Sequence, residues 1–418
     1  MGMTIGEKIL ARACGKDVVK PGEIITAKVD LCMSNDGTTH LNIDIFEKKL
    51  KGEKVFDPEK VIFIVDHNVP AESTKTAEVH KKMRNFAQKH HIPFYEGAGV
   101  CHQIMIEDYV VPGQVIIAAD SHTCSYGGLG AFGTGVGCTD LTSIMHSGET
   151  WLMVPETLNF VLEGNFRQGV YARDLILKVI GDIGADGATY KIMEFSGPAV
   201  KNLTIDDRVV LCNMAVEAGA KSGLVAPDER VIEYVKSRGR HEMHLFASDE
   251  DAVYEQSYAY NLADIEPMVA IPHNVDNVVP VTEIGAVKID QAFIGSCNNG
   301  RIEELRVAAQ ILQGKKIAPY VKLLISPASK EVYLQALEEG LVDIFMESGA
   351  MVLNANCSVC WGSCQGVIGE GETLISTGTR NFKGRAGHPN SSVYLASAAT
   401  VAASALVGKI TDPRGLIG

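Results

Sequence analysis

The sequence lacks the surplus of positive charge that is typical of proteins that bind nucleic acids or anionic membranes. Its 38 Lys and Arg residues are outnumbered by 51 Asp and Glu residues, which leaves a formal net charge of −13 at pH 7. Because phosphate-rich surfaces attract basic proteins, this balance argues against a nucleic acid or a membrane as a partner. An anionic ligand must be bound by a local group of positive charges.

Long apolar runs and a secretion signal are also missing. The best membrane candidate, LASAATVAASALV at 395–407, is shorter than the roughly 20 apolar residues that span a bilayer, and we predict a buried helix there. The start, MGMTIGEKILARACGKD, has neither the apolar core nor the small-residue cleavage site of a signal peptide. We therefore expect a cytoplasmic protein.

Cysteine is too sparse for a disulfide scaffold, with ten residues in a chain of 418. Most of the ten are expected to be small buried hydrophobes. The segment NCSVCWGSCQG at 356–366 differs, because it places Cys357, Cys360 and Cys364 within eight positions. This spacing favours metal binding over a pair of thiols packed in a core.

Short apolar runs alternate with helical patterns along the chain. Five runs predict buried strands, at residues 61–65, 115–119, 292–294, 321–325 and 350–353. Helices are predicted at 75–89 and from about 301, and Ser326-Pro327 predicts a further helix start. This alternation is typical of α/β domains with largely parallel sheets.

Chemically active residues follow four of these predicted strands. In order along the chain they are Asp66 with His67, Asp120 with His122, Cys297, and Cys357 with Cys360. Because open α/β sheets bind ligands at the carboxyl ends of their strands, we predict that these residues converge on one site.

The glycine-rich stretch 127–137 contains GLGAFG at 128–133, which matches the G-x-G-x-x-G pattern. The dinucleotide fingerprint requires its first glycine directly after a strand, whereas DSHTCSYG intervenes here. We predict instead that these glycines bring the backbone close to the site or to a neighbouring helix.

Cys297 together with Cys357 and Cys360 can form a three-cysteine metal site, with Cys364 as a candidate fourth ligand. A structural zinc site closes with four ligands. An iron-sulfur cluster held by three cysteines leaves one iron open, as Lewis-acid catalysis requires. The spacing alone leaves both alternatives open.

Groups suited to proton transfer and to anion binding accompany these cysteines. The guanidinium groups of Arg380 and Arg385, in TRNFKGR at 379–385, can bind carboxylates through paired hydrogen bonds. The carboxylates and imidazoles that can exchange protons are Asp66, His67, His102, Asp120 and His122. Together these groups predict an enzyme for a small carboxylate substrate.

Ten stretches that contain these residues form a more specific pattern. They are MGMTIGEKIL, VDHNVP, GVCHQI, ADSHTC, GAFGTGVG, DGATYKIMEFSGP, GSCNNGR, NCSVCWG, TRNFKGRAGH and YLASAATVAASALVGKITDP. With them the chain resembles, over essentially its whole length, the aconitase family, and in particular its isopropylmalate dehydratase and homoaconitase large subunits.

The resemblance implies an α/β fold of three α/β/α domains around a central iron-sulfur site, without the swivel domain that follows them in single-chain aconitases. We place these domains at residues 1–153, 154–284 and 285–418, and we interpret the Pro- and Asn-rich segment 267–280 as a connector. Because the chain ends at ITDPRGLIG, the resemblance implies that a separate small subunit supplies the catalytic base, a serine, and another arginine.

The resemblance also implies a role for each matched residue. Cys297, Cys357 and Cys360 would bind one 4Fe-4S cluster with one labile iron, and Asp66 and His67 would protonate the departing hydroxyl. The other matched positions are His102, Asp120, His122 and Glu194 as carboxylate and imidazole partners, and Asn35, Ser121, Arg380 and Arg385 as substrate-binding residues.

The implied activity is that of a hydro-lyase, which moves a hydroxyl group between adjacent carbons of a hydroxy-diacid by dehydration and rehydration. The expected reaction converts 2-isopropylmalate to 3-isopropylmalate in leucine biosynthesis. A homoaconitase or a dimethylmalate-type dehydratase is an alternative, because the chain departs from the common family pattern at Asn35, Asn298, Ser358, Val359 and Thr379. A non-catalytic zinc protein or a redox iron-sulfur protein is an alternative of another class, but it leaves the Asp-His pairs and the arginines unexplained.

The implied ligand set predicts opposite outcomes for two cysteines of one segment. Cys357→Ser should prevent cluster formation, whereas Cys364→Ser should leave the iron content unchanged, because Cys364 lies outside the matched ligand pattern. After anaerobic reconstitution with iron and sulfide, visible absorbance and EPR before and after mild oxidation test both variants. A Cys364 variant that binds no iron would contradict the three-ligand assignment.

Overall fold

The computed structural model describes residues 2–417. This part of the chain divides into two compact units. The first comprises the described residues up to Glu96 together with Ile104–Glu163 and Ala188–Tyr260. The second comprises Gly97–Gln103, Gly164–Gly187 and the described residues from Asn261 onward. The three domain boundaries expected from the sequence stay a prediction.

Helices and strands alternate along much of the described chain, as the sequence predicts. The helices are α1 (Ile5–Cys14), α2 (Thr39–Ile45), α3 (Thr74–His90), α4 (Cys101–Asp108), α5 (Cys138–Ser147), α6 (Ala172–Ile183), α7 (Ile205–Met214), α8 (Glu229–Ser237), α9 (Ile302–Leu312), α10 (Lys330–Glu338), α11 (Leu341–Ser348) and α12 (Ala398–Val407).

The strands are β1 (Ile24–Lys28), β2 (Leu31–Asn35), β3 (Val61–Val65), β4 (Phe94–Glu96), β5 (Val115–Ala118), β6 (Phe132–Gly135), β7 (Glu149–Met153), β8 (Thr157–Glu163), β9 (Ile192–Ser196), β10 (Ser222–Val225), β11 (Gln256–Asn261), β12 (Met268–Ala270), β13 (Val278–Pro280), β14 (Gln291–Ile294), β15 (Lys322–Ile325), β16 (Met351–Val352), β17 (Thr373–Ser376) and β18 (Ser392–Leu395).

The first unit contains a parallel five-stranded sheet in the order β4-β3-β2-β5-β6. Every residue of β2 and β3 is buried, as expected for strands whose two faces are both covered. Phe63 of β3 belongs to one hydrophobic core with Ile5 and Ile9 of α1 and Phe86 of α3. The same unit holds a four-stranded sheet, β10-β9-β8-β11, and an antiparallel pair, β1-β7.

The second unit is built on a seven-stranded sheet in the order β13-β12-β18-β17-β14-β15-β16. Strands β18, β17, β14, β15 and β16 are parallel, while β12 and β13 run antiparallel at one edge. Leu305 and Ile311 of α9 and Val401 of α12 share a hydrophobic core with Ala292 of β14. This core explains why most of the alanine-rich segment 395–407 folds as a buried helix, as predicted, although the helix begins at Ala398 and Leu395 ends β18.

Across residues 2–417, none of the helices combines the length and the apolar character needed to cross a bilayer.

The structure differs from the sequence prediction in two local features. Residues 267–280, interpreted as a connector, contain β12 and β13, which pair with each other and extend the seven-stranded sheet. Helix α10 begins at Lys330 rather than at Pro327, because the hydroxyl of Ser329 accepts a hydrogen bond from the Val332 amide at 3.1 Å and caps the helix.

Glycines of the stretch 127–137 bring two backbone segments together, as predicted. A Cβ atom added at Gly128 would lie 2.8 Å from the amide nitrogen and 2.9 Å from the Cα of Val209 in α7. A Cβ added at Gly127 would collide with the carbonyl of Gly223 in β10. The glycines therefore allow residues 121–129 to pack directly on α7 and β10.

Gly128→Ala should destabilise the chain by about 1–3 kcal/mol, because backbone atoms of α7 cannot yield as a flexible side chain would. Thermal unfolding of the purified chain measures the effect. Gly415→Ala is the control, because a Cβ at this exposed glycine has no neighbour within 4 Å. Equal melting temperatures for the two variants would contradict the proposed close packing.

Candidate active site

The carboxyl edge of the five-stranded sheet carries several of the predicted residues. Asn35 is the last residue of β2, Asp66 follows β3, and Asp120 follows β5 shortly after its end. Because β2 pairs in parallel with both β3 and β5, the three positions meet at one edge. The side-chain amide of Asn35 donates a hydrogen bond to Oδ2 of Asp120 at 3.0 Å.

His67 lies at the centre of this group and is only 6% exposed. Its Nδ1 is 2.7 Å from Oδ1 of Asp66 and 3.7 Å from Oδ1 of Asp36, and its Nε2 is 4.0 Å from Oδ2 of Asp120. Burial acts to lower the pKa of His67, but the negative charges of Asp66, Asp36 and Asp120 outweigh it and raise the pKa to about 10. His67 is therefore an imidazolium at neutral pH and can serve as a proton donor.

His122 pairs with a carboxylate that the sequence did not indicate. Its Nε2 is 2.8 Å from Oε1 of Glu217, and both side chains are buried. Its backbone amide donates to Oδ1 of Asp120 at 2.8 Å. A carboxylate bound to one ring nitrogen fixes the orientation of an imidazole. Glu217 lies in CNMAVEAG, where a buried acid among small and apolar residues is the only sequence signal.

Glu194, predicted as a carboxylate partner of an imidazole, has other hydrogen bonds. The hydroxyl of Ser248 donates to its two oxygens at 2.7 and 2.9 Å, and Tyr254 donates at 3.1 Å. Burial raises the pKa of Glu194, although both hydroxyl groups oppose the shift. A catalytic role for Glu194 stays a prediction.

A cleft of about 400 Å³ in the first unit adjoins Asp120 and Ser121. This volume is within the range of small-molecule sites. Val136 and Val216 line it, together with Lys221, whose pKa is lowered by burial.

The second unit gathers the predicted cysteines at the carboxyl edge of its sheet. Cys297 follows β14, Cys357 and Cys360 follow β16, and the segment with Arg380 and Arg385 follows β17. These strands are parallel, so their carboxyl ends meet at one edge. The three thiols are only 5–6% exposed.

Arg385 lies among the three thiols. Its Nη2 is 3.8 Å from Sγ of Cys360. Burial acts to lower the pKa of Arg385, but Cys360, Cys357 and Cys297 together raise it. Arg385 thus places a positive charge beside Cys360, one of the three predicted ligands.

Two buried arginines hold the loop that carries Cys297. Arg301 donates at 2.9 Å to the carbonyls of Cys297 and Asn298, and its Nε donates to the side chain of Gln103 at 2.8 Å. Arg173 donates to the side chain of Asn298 and to the carbonyl of Gly378. The position of Cys297 is thus set by hydrogen bonds that do not involve its thiol.

His102 and Arg380 complete the predicted set in this unit. His102 is the second residue of α4 and is only 1% exposed. Arg380 is half-buried and follows Thr379, which is fully buried.

Comparisons with known proteins identify the family of the chain. The model of the aconitase family (aconitate hydratase) matches residues 7–286 and 282–408. The chain belongs to the aconitase family. It is 52% identical to the 3-isopropylmalate dehydratase large subunit of Aquifex aeolicus (strain VF5), over 100% of this chain and 98% of that protein. It is 50% identical to 3-isopropylmalate dehydratase large subunit 1 of Pyrococcus furiosus, over 100% of this chain and 99% of that protein.

A solved structure supports the fold alone. The crystal structure of Thermococcus kodakaraensis aconitase X (holo-form) superposes with a TM-score of 0.50 at 13% sequence identity, over 91% of this chain and 93% of that chain. The α/β fold predicted from the sequence is confirmed by the family match and by this structure.

Membership of the aconitase family implies an iron-sulfur cluster, and the residues around the cysteines fit one. Three buried thiols are the donors that such clusters prefer. A Cβ added at Gly378 would lie 3.4 Å from Sγ of Cys360, so the glycine leaves space beside the sulfur. Within residues 2–417, the buried Oγ of Ser358 and Nε of Arg385 have no hydrogen-bond partner, and both are donors that sulfide acceptors could satisfy.

The charge of His67 predicts how stability changes with pH. A raised pKa in the folded state contributes stability that is complete below the ordinary pKa of about 6.5 and is lost as the pH rises towards about 10. His67→Gln removes this contribution. The difference in urea midpoint between wild type and His67→Gln should therefore shrink from pH 6.5 to pH 9.5.

His241→Gln is the matched control, because His241 is exposed in an irregular segment. Its urea midpoint should follow that of the wild type at every pH. A His67→Gln difference that stays constant over this pH range would contradict the buried imidazolium.

Proposed function

We propose that this chain is the large subunit of a hydro-lyase that interconverts 2-isopropylmalate and 3-isopropylmalate in leucine biosynthesis. Relatives that are 49–52% identical over nearly the whole chain carry the name 3-isopropylmalate dehydratase large subunit. The observation that carries the chemistry is the buried ring of His67, with Nδ1 2.7 Å from Asp66 and Nε2 4.0 Å from Asp120. A proton donor held in this way suits the removal of a hydroxyl group as water.

His67 and Asp66 act as the acid in this proposal. Asp66 holds Nδ1 of His67 at 2.7 Å, which orients the ring and leaves Nε2 as the nitrogen that delivers a proton. In the reverse direction the same pair takes the proton from water that adds to the double bond. Asn35 keeps Asp120 in place beside Nε2 through its 3.0 Å hydrogen bond.

We assign Cys297, Cys357 and Cys360 as the ligands of one 4Fe-4S cluster with one labile iron. When bound, such a cluster supplies an open iron that polarises a hydroxyl or carboxylate oxygen as a Lewis acid. The chain itself holds three buried thiols and Arg385, whose positive charge offsets the negative charge of the thiolates.

The remaining predicted residues are proposed to bind and orient the substrate. Arg380 and Arg385 supply guanidinium groups for its carboxylates, and Ser121 faces the cleft next to Asp120. The buried His122 and Glu217 form a second imidazole and carboxylate pair near Asp120. We propose that His102 and Glu194 support this set.

We further propose that a small subunit completes the enzyme. The relatives' names describe a large subunit, and we propose that the base is a serine on the small subunit. The large subunit alone should then bind substrate and cluster but remove the C–H proton poorly.

The test combines the anaerobically reconstituted chain with a small subunit and follows the conversion of 2-isopropylmalate. The complex should be active and the chain alone nearly inactive. His67→Asn should lower kcat by about 10²–10⁴-fold, because it removes the proton donor, while His241→Gln should leave kcat unchanged. Full activity without a partner would contradict the two-subunit proposal, and activity only on another hydroxy-diacid would contradict the proposed substrate.

A further inference from the structure

Asp36 holds the segment that carries the proposed acid, although no step of the reaction uses it. Its Oδ1 accepts hydrogen bonds from the backbone amides of Asp66 at 3.0 Å and His67 at 2.9 Å. Its Oδ2 accepts from the amide of Asn68 at 2.8 Å. One buried carboxylate thus binds three consecutive amides beyond the end of β3, where the strand ladder no longer satisfies them.

Three amide donors favour a charged acceptor, and the surroundings of Asp36 keep it charged. Burial alone would raise the pKa of Asp36, but His80, the charge of His67 and the backbone amides lower it far below its usual range. Asp36 therefore stays a carboxylate throughout the neutral range.

The charged groups around His67 come from three strand ends and a helix. Asp66, Asp36 and Asp120 face His67 directly, at 2.7, 3.7 and 4.0 Å. On the other side of Asp36, Nε2 of His80 in α3 lies 3.7 Å from Oδ2, and Nδ1 of His80 lies 3.8 Å from Glu96. Asp36 is thus the carboxylate that both fixes the backbone of His67 and faces its ring.

We propose that Asp36 is a positioning residue for the dehydration: it fixes the Asp66–Asn68 backbone through three amides and places a carboxylate 3.7 Å from Nδ1 of His67. The proposal rests on the proposed function. It goes beyond that function by separating the pair that gives the proton from a third carboxylate that holds the donor in place.

Asp36→Asn is the decisive variant, because it keeps the size of the side chain and removes its charge. An amide NH₂ in place of either oxygen would face a backbone N–H donor, so at least one of the three hydrogen bonds is lost. Asp36→Glu is the second variant, since it keeps the charge and displaces the carboxylate by one methylene. Asp44→Asn is the matched control: Asp44 lies in α2 and pairs with Lys48 and Lys82 instead.

The first measurement is an NMR titration of histidine side chains on the chain alone, with His67→Gln to assign the signal. In Asp36→Asn the pKa of His67 should fall by about 1–3 units, because an opposite charge within this distance shifts a pKa by that amount. Asp36→Glu should keep most of the raised pKa, and Asp44→Asn should keep all of it. An unchanged titration of His67 in Asp36→Asn would overturn the proposal.

The second measurement is the pH profile of kcat in the complex with a small subunit. Asp36→Asn should lower kcat with little change in KM and move the alkaline limb of the profile to lower pH, an effect that a purely structural role would not produce. An unshifted limb would overturn the proposal. If the wild type has no dehydratase activity, the proposed function fails, but the titration on the chain alone still decides the role of Asp36.

Discussion

A single buried imidazole among three carboxylates is the interaction on which the chemistry of the first unit depends. Charged groups that leave water are costly unless they are paired and hydrogen-bonded. Here Asp66 binds the ring of His67, Asp120 receives the Asn35 amide, and Asp36 receives three backbone amides. Each of the three carboxylates has a different hydrogen-bond partner, and the negative charges of all three face the imidazole of His67.

In the second unit, positive charge is needed beside sulfur atoms, whereas in the first unit negative charge surrounds an imidazole. The three thiols that we propose as cluster ligands would need positive charge nearby as thiolates, and the chain as a whole carries a net charge of −13. Arg385 supplies that charge at the sulfurs, while Arg173 and Arg301 supply buried donors behind the Cys297 loop. The local group of positive charges that the overall composition requires is therefore found where the anionic ligands are proposed to bind.

The sequence predicts those parts of the fold in which a signal is local. Strand β3 is predicted to the residue, because VIFIV is a continuous apolar run, and α3 is predicted to within one residue at each end. Strands β12 and β13 have only three residues each in a Pro-rich segment, so no periodicity distinguishes them from a loop. Their pairing depends on the neighbouring sheet.

The same holds for the candidate site: residues with a local sequence signal could be predicted, and residues that meet only in the folded chain could not. The residues that follow strong strands, such as Asp66 and Asp120, can be found because a parallel sheet places strand ends together. Glu217 could not be found in this way, because it lies 95 positions from His122 in the sequence and contacts it only in the folded chain. Asp36 accepts hydrogen bonds from backbone amides 30 to 32 positions away. A sequence motif gives no signal for such contacts, because any residue can supply the amide.

The hydrogen bonds of Arg301 support the loop at which the proposed cofactor would bind. Arg301 binds the backbone carbonyls of Cys297 and Asn298, and neither hydrogen bond involves the Cys297 thiol. In many small metalloproteins the metal supplies the folding energy of its own site. In this chain Arg301 supplies backbone contacts that do not depend on the proposed cluster, so we expect the loop to stay folded when the cluster is lost.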